Sequence, residues 1–285
     1  MKKRRDAEMP RRRNEEMVNV IVLIKQVPDI EHVKFDTEEG RIDRSSAEAE
    51  INPFDLNALE AAVQIKEKLG GKVTAISMGP PQSESALRDA LARGADRAIL
   101  LVDKKFAGAD TRATSFTLAS AIKRSGEFDL IVCGEKTIDG DTGQVGPEVA
   151  GMLGIPHIAY VSNIKKISDE GLEVRSELWD AYYLKRMKLP GLITLTKDVN
   201  NPRLASLRGK MNARKAKIEK WGREEFKDIP IEEFGLRGSH TQVRRIELSK
   251  AEERGGEVIR GEARECTEKL FLYLKKCLKE EHGKK

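Results

Sequence analysis

Long hydrophobic runs are missing from this chain. No stretch of about eighteen apolar residues occurs, so no segment is expected to cross a membrane. Cysteine is scarce: Cys133, Cys266 and Cys277 are the only three in 285 residues, and none forms a C-x-x-C pair. Histidine numbers four, with no metal-ligand spacing. Iron–sulfur, structural-zinc and disulfide frameworks are therefore not expected, and a reducing cytoplasm fits. An excess of one charge is also lacking. Asp, Glu, Lys and Arg make up 35% of the chain, yet the net charge is only +5. Interleaved signs suit a solvated surface laced with ion pairs, as in heat-adapted proteins. Without a basic stripe interleaved with aromatics, nucleic acid is not an expected partner. The opening MKKRRDAEMPRRRNEEM has no apolar core of the signal-peptide kind; residues 1–16 are expected to form a disordered or loosely docked basic tail. Neither GxxxxGK[ST] nor GxGxxG is present.

What the chain does contain is alternation. VNVIVLI (18–24) is a continuous run of β-branched character, the mark of a strand buried on both faces. Pro28 ends that strand. A polar excursion follows, with Gly40 at a plausible hairpin turn. Asn52 can cap a helix that Pro53 opens; Leu56, Leu59, Ala62, Val63 and Ile65 form its apolar spacing, and Gly70 and Gly71 stop it. KVTAISM, ADRAILLVD and FDLIVCG then read as strands separated by helical stretches. A helix is expected from about Pro147 to Leu153, and PHIAYVS as a further strand. This predicts an α/β fold with a doubly wound, mostly parallel sheet. After Val161 the pattern changes to apolar–polar alternation, with a turn expected at Asp169–Gly171; an antiparallel hairpin at the sheet's edge is predicted, then GLITLTK as a last buried strand. From Asn201 the chain is basic and irregular, with little core-forming pattern through FGLRGSHTQVRRIEL. The end is predicted as an amphipathic helix with Ile259, Ala263, Cys266, Leu270 and Cys277 on one face. The expected layout is a tail over 1–16, a nucleotide-binding domain over 17–200, a recognition segment and arm over 201–247, and a terminal helix over 248–285.

One stretch asks for a purpose. GEKTIDGDTGQVGP (134–147) spends fourteen residues, four of them glycine, between a strand and a helix. Ligands of open α/β sheets bind beyond the carboxyl ends of the strands. Glycines there let backbone N–H groups approach an anion, and the next helix adds partial positive charge. Gly140, Gly143 and Gly146, with Thr142 and Gln144, could cradle a phosphate. Asp139 and Asp141 would repel it, so they are expected to cap the loop's own N–H groups or face a sugar hydroxyl. The residues alone leave nucleotide binding and an elaborate structural loop both open.

Several motifs in order change that balance. VIVLIKQVPD, INPFDLNALEAAVQIKE, AISMGP, LRDALARGADRAILL and PRLASLRGKMNARKAKIEKW, together with the loop, resemble the electron-transfer flavoprotein β subunit over about Val18 to Val243. The resemblance implies an adenine-nucleotide hydrolase-like, Rossmann-like fold and an α subunit as partner. It also implies a bound nucleotide: a structural AMP in simpler members, or the adenylate half of an FAD that takes hydride from NADH in electron-bifurcating members. IDGDTGQVGP and FGLRGSHTQV resemble the bifurcating form, although Arg237 and His240 replace its lysine and proline. Carried over, Leu23, Asn52, Ala75, Met78, Gly134 and the run Asp139, Gly140, Asp141, Thr142, Gly143, Gln144, Val145 and Gly146 would surround the nucleotide. Leu204 and Leu207, apolar residues in an exposed-looking segment, would help dock dehydrogenase or iron–sulfur/quinone oxidoreductase subunits. No general acid or base is implied, because the hydride chemistry belongs to the flavin. Simpler roles compete: Met78 as core, Cys133 as an inert buried hydrophobe, His157 as a packed strand residue, the basic run 210–220 as a solvated face. A compact ATP-binding sensor module would explain the crevice but not the recognition segment or the long arm.

Overall fold

A computed structural model describes residues 17–28, 34–36, 41–43, 49–168, 170–242 and 258–282, with 34–36, 41–43 and 276–282 described as backbone alone. The tail 1–16, the turn residues Gly40 and Asp169, and the side chain of Cys277 lie outside that description. Two compact units are present, Met1–Gln242 and Val243–Lys285.

The first unit is built on a nine-stranded sheet. Its parallel part comprises β1 (Val20–Leu23), β6 (Val73–Met78), β7 (Arg97–Leu101), β8 (Leu130–Gly134), β9 (His157–Ile167), β12 (Gly191–Leu195) and β13 (Glu219–Trp221). Their spatial order is β9-β12-β8-β1-β6-β7-β13. Beyond β9 the sheet continues antiparallel through β10 (Gly171–Leu178) and β11 (Ala181–Lys188). The short pairs β2 (Gln26–Pro28) with β5 (Ala49–Ile51), and β3 (Lys34–Asp36) with β4 (Arg41–Asp43), stand apart, the latter flanking the expected turn.

The buried strands alternate faces residue by residue. Val20, Val22, Ala75, Ala98 and Leu100 pack with α1 (Pro53–Leu69) and α2 (Glu84–Arg93). Ile21, Leu23, Ile76, Ile99 and Ile131 pack on the other side with α3 (Thr111–Ser125) and α4 (Val145–Leu153). Two helices on each face make the sheet doubly wound, as its sequence predicts.

Two differences from the sequence reading have physical causes. The edge hairpin is a three-stranded meander, because β9 does not stop near Val161. At Tyr160 the backbone adopts φ 57°, and the pairing of β9 with β12 slips between Ile193 and Leu195. This bulge turns β9 from a parallel neighbour of β12 into an antiparallel neighbour of β10. The segment after Asn201 is also less irregular than it reads. It forms α5 (Leu207–Lys215), then β13 as the last parallel strand, then the short α6 (Gly235–Gly238). Phe226 and Phe234, 0% and 1% exposed, pack on Phe106 with ring centroids 6.0 and 5.5 Å away. Burying side chains of this size contributes about 1.5–3 kcal/mol each. Arg97 fixes β13 by a bidentate contact with Glu219, at 2.7 and 2.9 Å.

In the second unit α7 spans Ala263–His282. Ile259 precedes it. Among the described residues, no helix is long and apolar enough to cross a membrane.

Candidate functional site

The winding reverses at β1. From β1 the chain passes to β6 and β7 on one side, then returns to place β8 on the other. A crevice therefore forms at the carboxyl ends of β1 and β8. The strand register shows how it opens. β1 and β8 stay in register from Val20↔Leu130 to Val22↔Val132. Beyond that, β1 follows β6, with Ile24 N–H donating to the Ile76 carbonyl at 2.9 Å. β8 follows β12, through Cys133↔Thr194 and Gly134↔Leu195.

The side chain in the split is Asp55, in the first turn of α1 and 5% exposed. Its carboxylate accepts from Lys25 N–H at 2.8 Å on the β1 side and from Gly134 N–H at 3.0 Å on the β8 side. Burial pushes this carboxyl up to about 7, against the lowering effect of the two N–H donors, Asn52 and the Lys25 charge. Gly134 must be glycine here, since a Cβ would lie 2.5 Å from Asp55 Oδ1 and 2.6 Å from Phe54 Cβ.

Asn52 is 0% exposed and precedes α1, but its side chain does not cap that helix. It turns to the glycine loop instead. Its Nδ2 donates to the Lys136 carbonyl at 2.9 Å, and its Oδ1 accepts from Ile138 N–H at 3.2 Å. Pro53 and the Asn52 carbonyl, which accepts from Asp55 and Leu56 N–H, start the helix without that cap.

The loop's two acids each pair with a lysine, and Asp139 also accepts from its own backbone N–H, in line with the capping expectation. Asp139 pairs with Lys25 at 2.7 Å, and Asp141 with Lys136 at 2.8 Å. Partial burial pushes the Asp139 carboxyl up; hydrogen bonds from Lys25 and Thr137 outweigh it and hold the group below the usual carboxylate range. Asp141 (φ 52°) and Gly143 (φ 63°) both occupy the left-handed region, which bends the loop back toward α4. Gly140, Thr142 and Gln144 are exposed on the rim, while Gly143 and Val145 are half-buried. Gly146 is buried in the first turn of α4, where a Cβ would meet Thr194 Cγ2 at 2.6 Å and Cys133 Sγ at 3.0 Å. No side chain caps α4, so its first-turn N–H groups face the loop as donors. Gln144 Oε1 accepts from Thr111 Oγ1 at 3.1 Å, joining the amino ends of α3 and α4.

The structure thus gathers Asn52, Gly134 and the run Asp139 to Gly146 at one strand-end split. Leu23 is buried on the α3–α4 face, and half-buried Met78 packs in the same layer. Ala75 lies in the opposite layer, enclosed and 0% exposed. Cys133 is buried, and burial pushes its thiol far up, which keeps it protonated and inert. His157 is exposed at the start of β9. Sequence reasoning missed Lys25, Asp55 and Lys136. The usable signal was an acid three residues after the Asn-Pro helix start, on a helix whose amino end meets two strand ends.

A second surface lies on α5. Leu204 and Leu207 are 87% and 77% exposed, and Met211 is exposed one turn along from Leu207. The segment that presents them is held firmly. Arg203 binds Glu60 at 2.8 and 3.0 Å and Glu67 at 2.5 and 2.9 Å. Arg88 donates to the Ala213 carbonyl at the end of α5 at 2.5 Å. Gly209 lets α5 approach α2 so closely that a Cβ would lie 2.2 Å from the Ala92 carbonyl oxygen.

Sequence comparison finds relatives of this chain. The family model described as "Electron transfer flavoprotein domain" matches residues 40–225. The chain is 44% identical to the electron transfer flavoprotein subunit beta of Thermoanaerobacterium thermosaccharolyticum over 253 residues, 89% of this chain and 96% of that protein. It is 44% identical to the caffeyl-CoA reductase-Etf complex subunit CarD of Acetobacterium woodii, covering 86% and 92% of the two chains. It is 40% identical to protein FixA of Bradyrhizobium diazoefficiens, covering 79% and 81%.

Proposed function

This chain belongs to the electron transfer flavoprotein β-subunit family, and from that premise we propose that its crevice holds the adenylate part of an FAD used in NADH-dependent electron bifurcation. The observation that carries the reading is the uncapped amino end of α4 behind a glycine loop, at the point where β1 and β8 part. Those residues suit an adenosine phosphate. The N–H groups around Gly143, Gln144, Val145 and Gly146 would receive the phosphates. Asp139 and Asp141, already neutralised by Lys25 and Lys136, would not repel them. Leu23 and Met78 would line the base side, and Asn52 would hold the loop in place; Ala75 has no exposed surface to offer.

Bound FAD would supply hydride acceptance from NADH and onward release of single electrons. The chain's own residues bind, orient and exclude water. An α subunit accompanies β subunits of this family. In the proposed reading Leu204 and Leu207 dock a dehydrogenase or an iron–sulfur/quinone oxidoreductase subunit in the cytoplasm. Two features favour bifurcation over a purely structural AMP. The loop GDTGQVGP and the run GLRGSHT resemble bifurcating members, and one relative carries a reductase complex in its name. The test is to co-purify the chain with its α subunit and count nucleotides released on denaturation. Two FAD and no AMP per heterodimer support the reading. One FAD and one AMP overturn bifurcation and leave a structural subunit of a simple electron carrier.

A further inference from the structure

Apart from the loop and the docking segment, the most unusual group in the first unit is a carboxylate with no surface role. Asp55 is buried, forms no ion pair among the described residues, and binds two backbone N–H groups from strands that have just separated. A parallel sheet that splits leaves donors and acceptors unmatched at the gap. A hydroxyl would serve one strand; a carboxylate has two acceptor oxygens and serves both. α1 delivers it, and the residue just before that helix, Asn52, binds the loop at Lys136 and Ile138. Strand β1, strand β8 and the loop are thereby referred to one rigid helix end.

We infer that Asp55 is a positioning residue that clasps the ends of β1 and β8 and so sets the width of the nucleotide crevice. This rests on the reading above that the crevice takes an adenosine phosphate. In Asp55→Asn the amide keeps one acceptor and turns an NH2 group toward the other strand's N–H. One side of the clasp opens while side-chain volume is unchanged.

The test uses the αβ complex, wild type and Asp55→Asn, stripped of nucleotide and titrated with AMP and with FAD, alongside deuterium uptake by peptide. The expected result is a rise of about tenfold or more in Kd for both probes, with faster uptake confined to residues 23–26 and 134–146. A purely structural role would instead raise uptake throughout the sheet. Unchanged Kd and unchanged local uptake overturn the inference. If the wild-type complex binds neither probe, the nucleotide reading fails, and local uptake alone judges the clasp: faster in Asp55→Asn supports it, equal overturns it. If Asp55→Asn does not assemble, the wild-type amides of Lys25 and Gly134 decide. Slow exchange at both, slower still with AMP or FAD, supports the clasp; fast exchange at either overturns it.

Discussion

Lowering the pH should strengthen this protein through Asp55, against the usual trend for carboxylates. Burial raises the folded-state value from 3.8 to about 7. Between those values the folded chain holds a proton that the unfolded chain has released. Stability therefore falls as pH rises through this window and levels off above it. The contribution is fully present below about 4 and lost by about 7. At about 1.4 kcal/mol for each pH unit between the two values, the window is worth about 4 kcal/mol. Glu135 is likewise pushed up by burial and works the same way, whereas Glu60, Asp103 and Asp110 are held below their ordinary values, so their stabilisation is lost on acidification. Only a difference measurement isolates Asp55. Denaturant midpoints of the αβ complex at fixed concentration, from pH 4 to 8, would be compared for wild type and Asp55→Asn. The gap should shift by about 4 kcal/mol in favour of the variant as pH rises. A pH-independent gap would refute the reasoning. Such a gap would show that the two N–H donors and the amino end of α1 outweigh burial and keep Asp55 ionised from pH 4 to 8.

Further outcomes can be checked on the same complex. Gly134→Ala places a Cβ 2.5 Å from Asp55 Oδ1; it should cost about 1–3 kcal/mol in a denaturant melt and weaken AMP binding. Arg203→Ala leaves Glu60, 5% exposed, without its cation. A loss of about 2 kcal/mol is expected, below the range for a fully buried pair because Arg203 itself is partly solvated. Leu204→Ala with Leu207→Ala should move the melting midpoint by less than about 0.5 kcal/mol in free energy, yet slow electron exchange with a partner oxidoreductase at least tenfold in stopped-flow traces. Equal rates would remove these leucines from the docking surface.

Much of this molecule was legible in its sequence because buried parallel strands write themselves as apolar runs. VNVIVLI, KVTAISM and FDLIVCG needed no context. The glycine loop was legible for a similar reason, since Gly134 and Gly146 occupy places where any side chain would collide. Two kinds of feature were not. Tyr160 bends β9 through a positive φ that no glycine announces. β13 is three residues long and takes its strand identity from its neighbour β7, not from its own composition. Phe226 and Phe234 sit in polar surroundings in sequence, and only the fold brings them to Phe106.

The reading of α1 shows most clearly where periodicity misleads. Its apolar spacing taken alone leaves Asp55, Asn57 and Glu60 for solvent. All three are 5% exposed. The cause is that the helix is covered on a second side. Asp55 reaches the two strand ends. Asn57 binds the carbonyls of Lys197 and Asn200 at 3.1 and 2.8 Å, and Asn200 returns a bond to the Asn57 carbonyl at 3.0 Å. Glu60 and Glu67 hold Arg203, next to Leu204. Asp55, Asn57 and Glu60 each have partners, so none of the three carries the cost of an unmatched group. One helix therefore fixes the crevice at its amino end and the segment bearing Leu204 farther along. In the proposed function these are the nucleotide site and the docking site. On that reading α1 would link the two sites through one rigid element.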